Sequence, residues 1–322
     1  ILLSILIGAF LLCAIVGGTV YYYLFAPQFH PSKTVYVYID RDDTTDSIYN
    51  KIRQTGHVNQ FTGFLWMAKY KKLNQNIHTG RYAIRPNDNV YHVFSRLSRG
   101  YQEPINLTIG SVRTLDRLAR SVGKQLMIDS AEIARTMNDS LFRHKLGYNK
   151  ETMACLFIPE TYQVYWDMSV EDFFKRMRKE HQRFWNQKRL DQAKAIGMTP
   201  EEVCTLASIV EEETNNNPEK PMVAGLYINR LHAGMPLQAD PTVKFALQDF
   251  GLRRITNDHL TIDSPYNTYR NPGLPPGPIR IPSPVGLDAV LNHAKHNYIY
   301  MCAKEDFSGT HNFASNYAEI GR

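Results

Sequence analysis

Glu213 is the carboxylate of this chain that stands where a carboxylate is least expected. The stretch TPEEVCTLASIVEEET, Thr199–Thr214, reads as a helix. Thr199 is a good N-cap, Pro200 suits the first helical position, and Glu202 completes a capping box. At about 100° per residue, Val203, Leu206, Val210 and Thr214 share one arc. Glu213 falls in that arc with Val210 one turn back and Leu206 two, whereas Glu211 and Glu212 point away from it, toward water. A carboxyl held against apolar neighbours has its charged form disfavoured, so its pKa rises and it becomes fit for general acid work near neutral pH. The competing reading is that the Glu211–Glu213 run is a solvated helix end. Helical geometry leaves both open.

Other chemistry is sparse. His293 and His296 have i, i+3 spacing, but no carboxylate or third ligand accompanies them, so they read as a surface pair and no metal or other cofactor is expected. Cys13, Cys155, Cys204 and Cys302 form no spaced framework; Cys13 lies in an apolar run, and the others read as buried free thiols. The densest basic run, Lys175–Arg189, carries Phe173, Met177 and Phe184 at helical spacing, which describes an amphipathic helix with a solvated basic face. No nucleic-acid-binding motif accompanies it, so nucleic acid is not an expected partner at a net charge of +6.

The elements that must position Glu213 follow from pattern and composition. The chain has 322 residues, enough for two domains, with 43% hydrophobic and 21% charged residues as in ordinary folded proteins. Ile1–Phe25 is an uninterrupted apolar run, with no charge before Lys33. As a helix it rises about 37 Å, enough to cross a hydrocarbon core of about 30 Å, and Tyr21, Tyr22 and Tyr23 would form an aromatic belt at its end. Its length favours a retained single span over a cleaved signal peptide. Residues 26–33 read as a linker. Alternation over Val35–Ile39 predicts a strand, followed by helices over Asp46–Gln54 and Phe61–Lys71, a strand over Gly80–Ile84 and a helix over Val90–Arg99. This β-α-α-β-α module, 34–103, is expected to bind or to space. A larger mixed domain, 104–322, opens with a strand over Ile105–Ile109 and helices over Arg113–Lys124, Glu132–Asn138 and Val170–Phe184. The Thr199 helix and one over Lys220–His232 follow. The fold class expected is therefore α+β: an apolar N-terminal helix, a small module and a larger mixed α+β domain. Asp263–Pro284, rich in Pro, Gly, Tyr and Asn, is expected as an irregular functional loop suited to sugar faces and hydroxyls.

LFIPETYQVYW (Leu156–Trp166), ASIVEEET (Ala207–Thr214), AGLYINRLHAGMPLQADPTV (Ala224–Val243), SPYNTY (Ser264–Tyr269), GLPPGPI (Gly273–Ile279) and THNFASN (Thr310–Asn316) occur in this order. Together they resemble the endolytic murein transglycosylase family, the YceG-like proteins, over the whole chain. The resemblance implies a LysM-like character for the module, a single-pass protein of the bacterial cytoplasmic membrane, and a catalytic domain on its outer side. It implies peptidoglycan glycan strands as substrate and synthases as partners. It also implies cleavage of the β-1,4 bond between N-acetylmuramic acid and N-acetylglucosamine, leaving a 1,6-anhydro-muramyl end. The last glutamate of the ASIVEEET block, Glu213, would be the single acid and base. Gln238, Asp240 and Thr242 look like cleft-lining groups, with Asp240 a second carboxylate, an orienting group for Glu213 or a helix cap. Tyr266, Asn267 and Tyr269 resemble substrate contacts, and Asn229 is similar. Glu160 reads as structural beside the site; His311 and Asn312 reach the cleft or, more in keeping, pin the C-terminal strand. Near the end, Ile320-Gly321 departs from the family pattern, where a histidine is common. A membrane-tethered glycan-binding scaffold without catalysis is the alternative, and a hydrolase sharing the site a third. The carboxylate on an apolar face separates the scaffold from the enzymes, because a binder gains nothing from burying it.

Overall fold

The computed structural model describes residues 2–73, 77–306 and 308–319, so Ile320 and Gly321 lie outside the described residues. It is a mixed α+β chain with one long apolar helix at the N-terminus. The chain divides into two compact units, residues 1–107 with 163–168, and residues 108–162 with 169–322.

In the first unit, helix α1 (Leu2–Val20) has no buried residue and continues into a π-helical turn, Tyr21–Phe25. Together they make a span of 24 residues with mean hydropathy 2.4. Strand β1 (Val35–Ile39) pairs antiparallel with β2 (Gly80–Ile84), Val37 opposite Tyr82. Helices α2 (Thr45–Gly56), α3 (Thr62–Tyr70) and α4 (Val90–Ser98) complete the β-α-α-β-α order read from the sequence. Thr44 and Asn89 cap α2 and α4 by accepting the N–H of Ser47 and His92. Val37, Ile39, Ile48, Ile52, Phe64, Tyr82 and Phe94 build the core. The expected linker 26–33 is instead part of this module. Phe29 is fully buried in its core, and Pro27 and Phe29 form bridges to Asn89 and Val58. Burying a phenylalanine outweighs the extended freedom that a Pro-containing segment would otherwise keep.

The second unit is mainly helical. Strand β3 (Ile105–Ile109) pairs with β4 (Glu160–Val164), and the boundary between the two units falls within both strands. Helices α5 (Leu115–Gly123), α6 (Ser130–Asn138) and α7 (Ser140–Leu146) lie between them in the chain. Helices α8 (Val170–Phe184) and α9 (Gln187–Ala195) follow. The basic run is therefore not one helix: the chain breaks at Trp185-Asn186, because Trp185 is buried and Asn186 caps α9 on the N–H of Arg189. Phe173 and Met177 are buried as expected.

At the centre stands α10 (Pro200–Glu213), with the capping box read from the sequence. It packs against α9, α11 (Lys220–His232), α12 (Asp240–Leu247) and α13 (Pro284–Leu291). Every residue from Val203 to Glu211 is buried, so α10 has no solvent face over that length. Close packing with α13 is allowed by Gly286, where an added Cβ would lie 3.0 Å from the Glu211 Cγ. Residues 263–283 form no regular element, and the hydroxyl of Ser208 on α10 anchors them by accepting the Ile279 N–H at 3.0 Å. A hairpin of β5 (Tyr300–Ala303) and β6 (His311–Ala314) ends the described chain, Cys302 opposite Asn312. Cys155 and Cys204 are buried free thiols, and burial raises the Cys155 pKa.

Candidate active site

The end of α10 presents Glu211, Glu212 and Glu213 to different surroundings. Glu211 is buried; its carboxylate takes the Lys220 Nζ at 3.3 Å and the Ser283 N–H at 2.9 Å, with the Ser283 hydroxyl also donating to it. Glu212 receives Arg113 in two parallel bonds, Nε at 2.7 Å and Nη2 at 2.8 Å, and Arg280 Nη1 at 3.1 Å. The expectation that these two carboxylates face water is corrected. Helical angle alone could not anticipate it, because the cations come from α11 and from loops far along the chain.

Glu213 is half-buried and makes no ion pair among the described residues. The Tyr227 hydroxyl donates to its Oε1 at 2.7 Å. Burial raises its pKa to about 7, the negative charge of Asp240 adding to the rise; the Tyr227 hydrogen bond and the positive fields of His311 and Arg230 pull the other way and lose. Tyr227 itself is buried, and burial beside Glu213 holds its phenol well above the ordinary value, so it remains a donor at any physiological pH.

A cavity of about 220 Å³ opens on this carboxyl. Tyr227 and Arg230 reach it from α11, Gln238 and Asp240 from the turn entering α12, Tyr269 from the Pro/Tyr-rich segment, and His311 from β6. The turn is held by the Gln238 N–H on the Thr268 carbonyl at 3.1 Å and the Ala239 N–H on the Thr268 hydroxyl at 3.0 Å. Gln238 adopts φ 52°, a left-handed backbone that this double tie must hold against its preference. Asp240 accepts the Tyr269 hydroxyl at 2.6 Å, and burial, reinforced by this hydrogen bond and the charge of Asp240, raises the Tyr269 pKa. Arg230 is anchored by Nε on the Ile299 carbonyl at 2.7 Å and Nη1 on the Leu237 carbonyl at 2.6 Å.

The fold thus brings Glu213, Gln238, Asp240 and Tyr269 together. Four other residues expected at the substrate are placed elsewhere. Thr242 is fully buried, its hydroxyl donating to the Ala239 carbonyl and meeting that of Thr268 at 2.9 Å. Asn267 is also fully buried and ties its loop to Leu260 and Ile262. Asn229 holds the carbonyls of His296 and Tyr298. Tyr266 packs on Phe245, ring centroids 4.8 Å apart, and lines a separate cavity of about 410 Å³. Asn267 serves its own loop's backbone first, because buried carbonyls there lack helix or sheet partners, and Asn229 and Thr242 tie their helices to loop carbonyls and hydroxyls.

Glu160 is exposed and accepts the Thr161 N–H. His311 does both things weighed for it: it lines the cavity and pins β6, its N–H donating to Glu219 at 2.6 Å. Asn312 lies in the hairpin opposite Cys302. Tyr227 and Arg230 escaped sequence reasoning, although both sit in the quoted AGLYINRLH block; one helical turn separates them, which puts both on one face of α11. The described residues hold no cluster of His, Cys, Asp or Glu able to bind a metal ion.

Comparisons with known proteins bear on this arrangement. The chain is 28% identical over 313 residues to the endolytic murein transglycosylase of Bacillus subtilis (strain 168), covering 91% of this chain and 86% of that protein. It is 26% identical over 305 residues to the protein of the same name from Streptococcus pneumoniae (D39), covering 84% of this chain and 54% of that longer protein. The crystal structure of a YceG-like protein from Listeria monocytogenes matches with a TM-score of 0.58 at 28% identity, over 90% of this chain and 99% of that one. The model of the YceG-like family matches residues 37–322, which takes in the second unit, the first unit from residue 37 onward and every wall of the Glu213 cavity, and the chain therefore belongs to the YceG-like family.

Proposed function

We propose that this protein is a membrane-anchored lytic transglycosylase that cuts peptidoglycan strands internally, with Glu213 as its single general acid and base. The observation that carries this reading is a half-buried carboxyl with pKa raised to about 7, held by a neutral donor and facing a polar cleft. The relatives named endolytic murein transglycosylase supply the substrate class, and the bond is read as the MurNAc-β-1,4-GlcNAc linkage.

Glu213 in its protonated form gives its proton to the glycosidic oxygen as the bond to C1 breaks. The carboxylate so formed takes the proton of the muramyl 6-hydroxyl as that oxygen closes on C1. The product carries a 1,6-anhydro ring, and Glu213 ends protonated, ready for another strand. A pKa near neutrality serves both halves, since the group must give and take with comparable ease. Two-carboxylate glycosidases need a second acid as nucleophile or as base for water, whereas here the substrate supplies its own nucleophile. Asp240 would stabilise positive charge developing at C1, with Tyr269 holding its orientation. Gln238, Arg230 and His311 would meet sugar hydroxyls and amides along the cleft. Thr242, Asn267 and Asn229 would act indirectly, by holding the walls.

The β-α-α-β-α module is read as LysM-like, and the apolar helix as a single span in the cytoplasmic membrane with the catalytic unit on the outer side. Synthases that make the strands are the partners this placement favours. The test is mass spectrometry of peptidoglycan treated with the protein and with Glu213→Gln. Internal fragments with 1,6-anhydro-muramic acid ends from the unaltered protein alone are expected. Reducing muramyl ends would make it a hydrolase, and binding without cleavage by either would leave a scaffold.

A further inference from the structure

The junction between the apolar helix and the first unit is clamped rather than hinged. The Gln28 side-chain amide donates to the Tyr22 carbonyl at 2.8 Å, and that of Asn89 to the Phe25 carbonyl at 3.2 Å. Helix α3 approaches so closely that a Cβ on Gly63 would lie 2.1 Å from the Tyr23 carbonyl oxygen. The rings of Tyr23 and Trp66 stand 4.9 Å apart, and those of Phe25 and Tyr91 5.6 Å. Around these contacts the module shows large side chains to solvent: Trp66 is 51% exposed and Tyr70 81%. A soluble surface rarely carries such residues together without a partner.

Charge completes the pattern. Lys69, Lys71 and Lys72 stand at the end of α3 and Arg99 follows α4; of the module's other basic residues, Lys51 pairs with Asp43, Arg85 with Glu103 and Arg96 with the buried Asp88. On the same face a cavity of about 330 Å³ is lined by Lys71, Arg99, Ser95 and Ser98 at its polar side and by Tyr91 and Phe94 at its apolar side. Basic groups and hydroxyls over an aromatic floor suit a phosphate carried on an acyl chain.

We propose that this face of the module lies in the headgroup layer of the membrane, with Trp66 and Tyr70 at the interface and the Lys71–Arg99 cavity taking an anionic lipid phosphate. The inference rests on the reading of Leu2–Phe25 as a membrane span. Depth follows from the clamp. The headgroup region adds roughly 5–8 Å on each side of the hydrocarbon core, and Trp66 is in ring contact with the last turn of the span. Aromatic rings with one wet edge favour this layer, and lysines beside it gain from anionic lipid. The module would then be a platform seated on the bilayer, not a spacer on a flexible stalk.

The test uses the full chain reconstituted in vesicles of phosphatidylcholine with about one-third phosphatidylglycerol, the acyl chains brominated near the carbonyl. Tryptophan emission is compared for the unaltered protein, Trp66→Phe and Trp166→Phe, with vesicle flotation as a parallel measure. Flotation, with quenching that falls at least twofold in Trp66→Phe and persists in Trp166→Phe, is the expected result. Replacing Lys71 and Arg99 together by serine should weaken that quenching in anionic vesicles and leave it unchanged in pure phosphatidylcholine. Flotation with equal quenching in the unaltered protein and Trp66→Phe would overturn the inference while leaving the membrane span intact. Failure to float would overturn the span and the inference together.

Discussion

Two sides of one helix end hold neighbouring glutamates in opposite surroundings. Behind the end of α10, Glu211 and Glu212 meet Lys220, Arg113 and Arg280 at 2.7 to 3.3 Å. In front of it, Glu213 meets a phenol. The backbone is the same helix and the residue type is the same. What differs is whether a cation stands within hydrogen-bond reach. A buried carboxylate with a paired cation is committed to that pair, because losing either partner would strand the other. A half-buried carboxyl with only a neutral donor pays for ionisation in lost hydration and sits near neutrality. The flanking pairs also secure the last turn of α10, so the side chain in front has a fixed base from which to project.

The comparison can be broken first at the chemistry. Glu213→Gln should lower formation of anhydro-muramyl ends by at least about a thousandfold, while Glu212→Gln, which keeps its hydrogen-bonding shape, should lower it far less. Mass spectrometry of the products distinguishes them. A comparable loss in both would mean the two sides are one functional unit.

Next comes stability. Lys220→Met leaves the buried Glu211 carboxylate with Arg280, 3.8 Å away, as its remaining cation and should cost about 2 kcal/mol, read as a lower urea midpoint at unchanged slope. The opposite sign is expected in front. The Glu213 pKa is raised from 4.5 to about 7, so the folded state holds this proton more tightly than the unfolded chain does. Stability from this group is full below pH 4.5 and declines as pH rises through about 7. Glu213→Gln removes that decline. It should therefore be more stable than the unaltered protein by about 2 kcal/mol at pH 8, with residual hydration already discounted, and equal to it at pH 4. Thermal unfolding at the two values would show this, and equal midpoints at pH 8 would mean the carboxyl is better solvated than its surroundings imply.

The smallest effects sharpen the balance within the cleft. Tyr227→Phe removes the donor that favours the ionised form, so the limb on which activity falls with rising pH should move up by about half a unit to one unit. Asp240→Asn removes a negative neighbour and should move the same limb down by a similar or smaller amount. Shifts in the same direction would show that Glu213 does not set that limb.

The first unit reads from its sequence almost element by element, because its strands alternate and its helices carry their own caps, Thr44 and Asn89. In the second unit α13 and β5 were not legible, and α12 and β6 only as a helix after Asp240 and a strand at His311, without bounds. They are short, and what holds them comes from afar: Thr268 for the entry to α12, and Glu219 for the strand that carries His311. The Pro-rich segment was legible as a loop, yet its amides turned out to serve its own backbone. Gln238, Asp240 and Tyr269 do face the cavity, while Asn267 is spent on its own loop's carbonyls and Thr242, on α12, on the Ala239 carbonyl and the Thr268 hydroxyl.

By itself the sequence determined the apolar span, the module, the capped helix and the one glutamate on that helix set against apolar neighbours. These depend on residues within a few turns of each other, and local sterics and periodicity govern them. Tertiary structure alone decided that Glu211 and Glu212 are neutralised, that Tyr227 is the donor to Glu213, and that Arg230 and His311 share its cleft. The Arg113–Glu212 contact spans 99 positions and the Ser283–Glu211 contact 72. No pattern of neighbouring residues encodes such pairings, because they follow from how α10, α11 and α13 pack around one core.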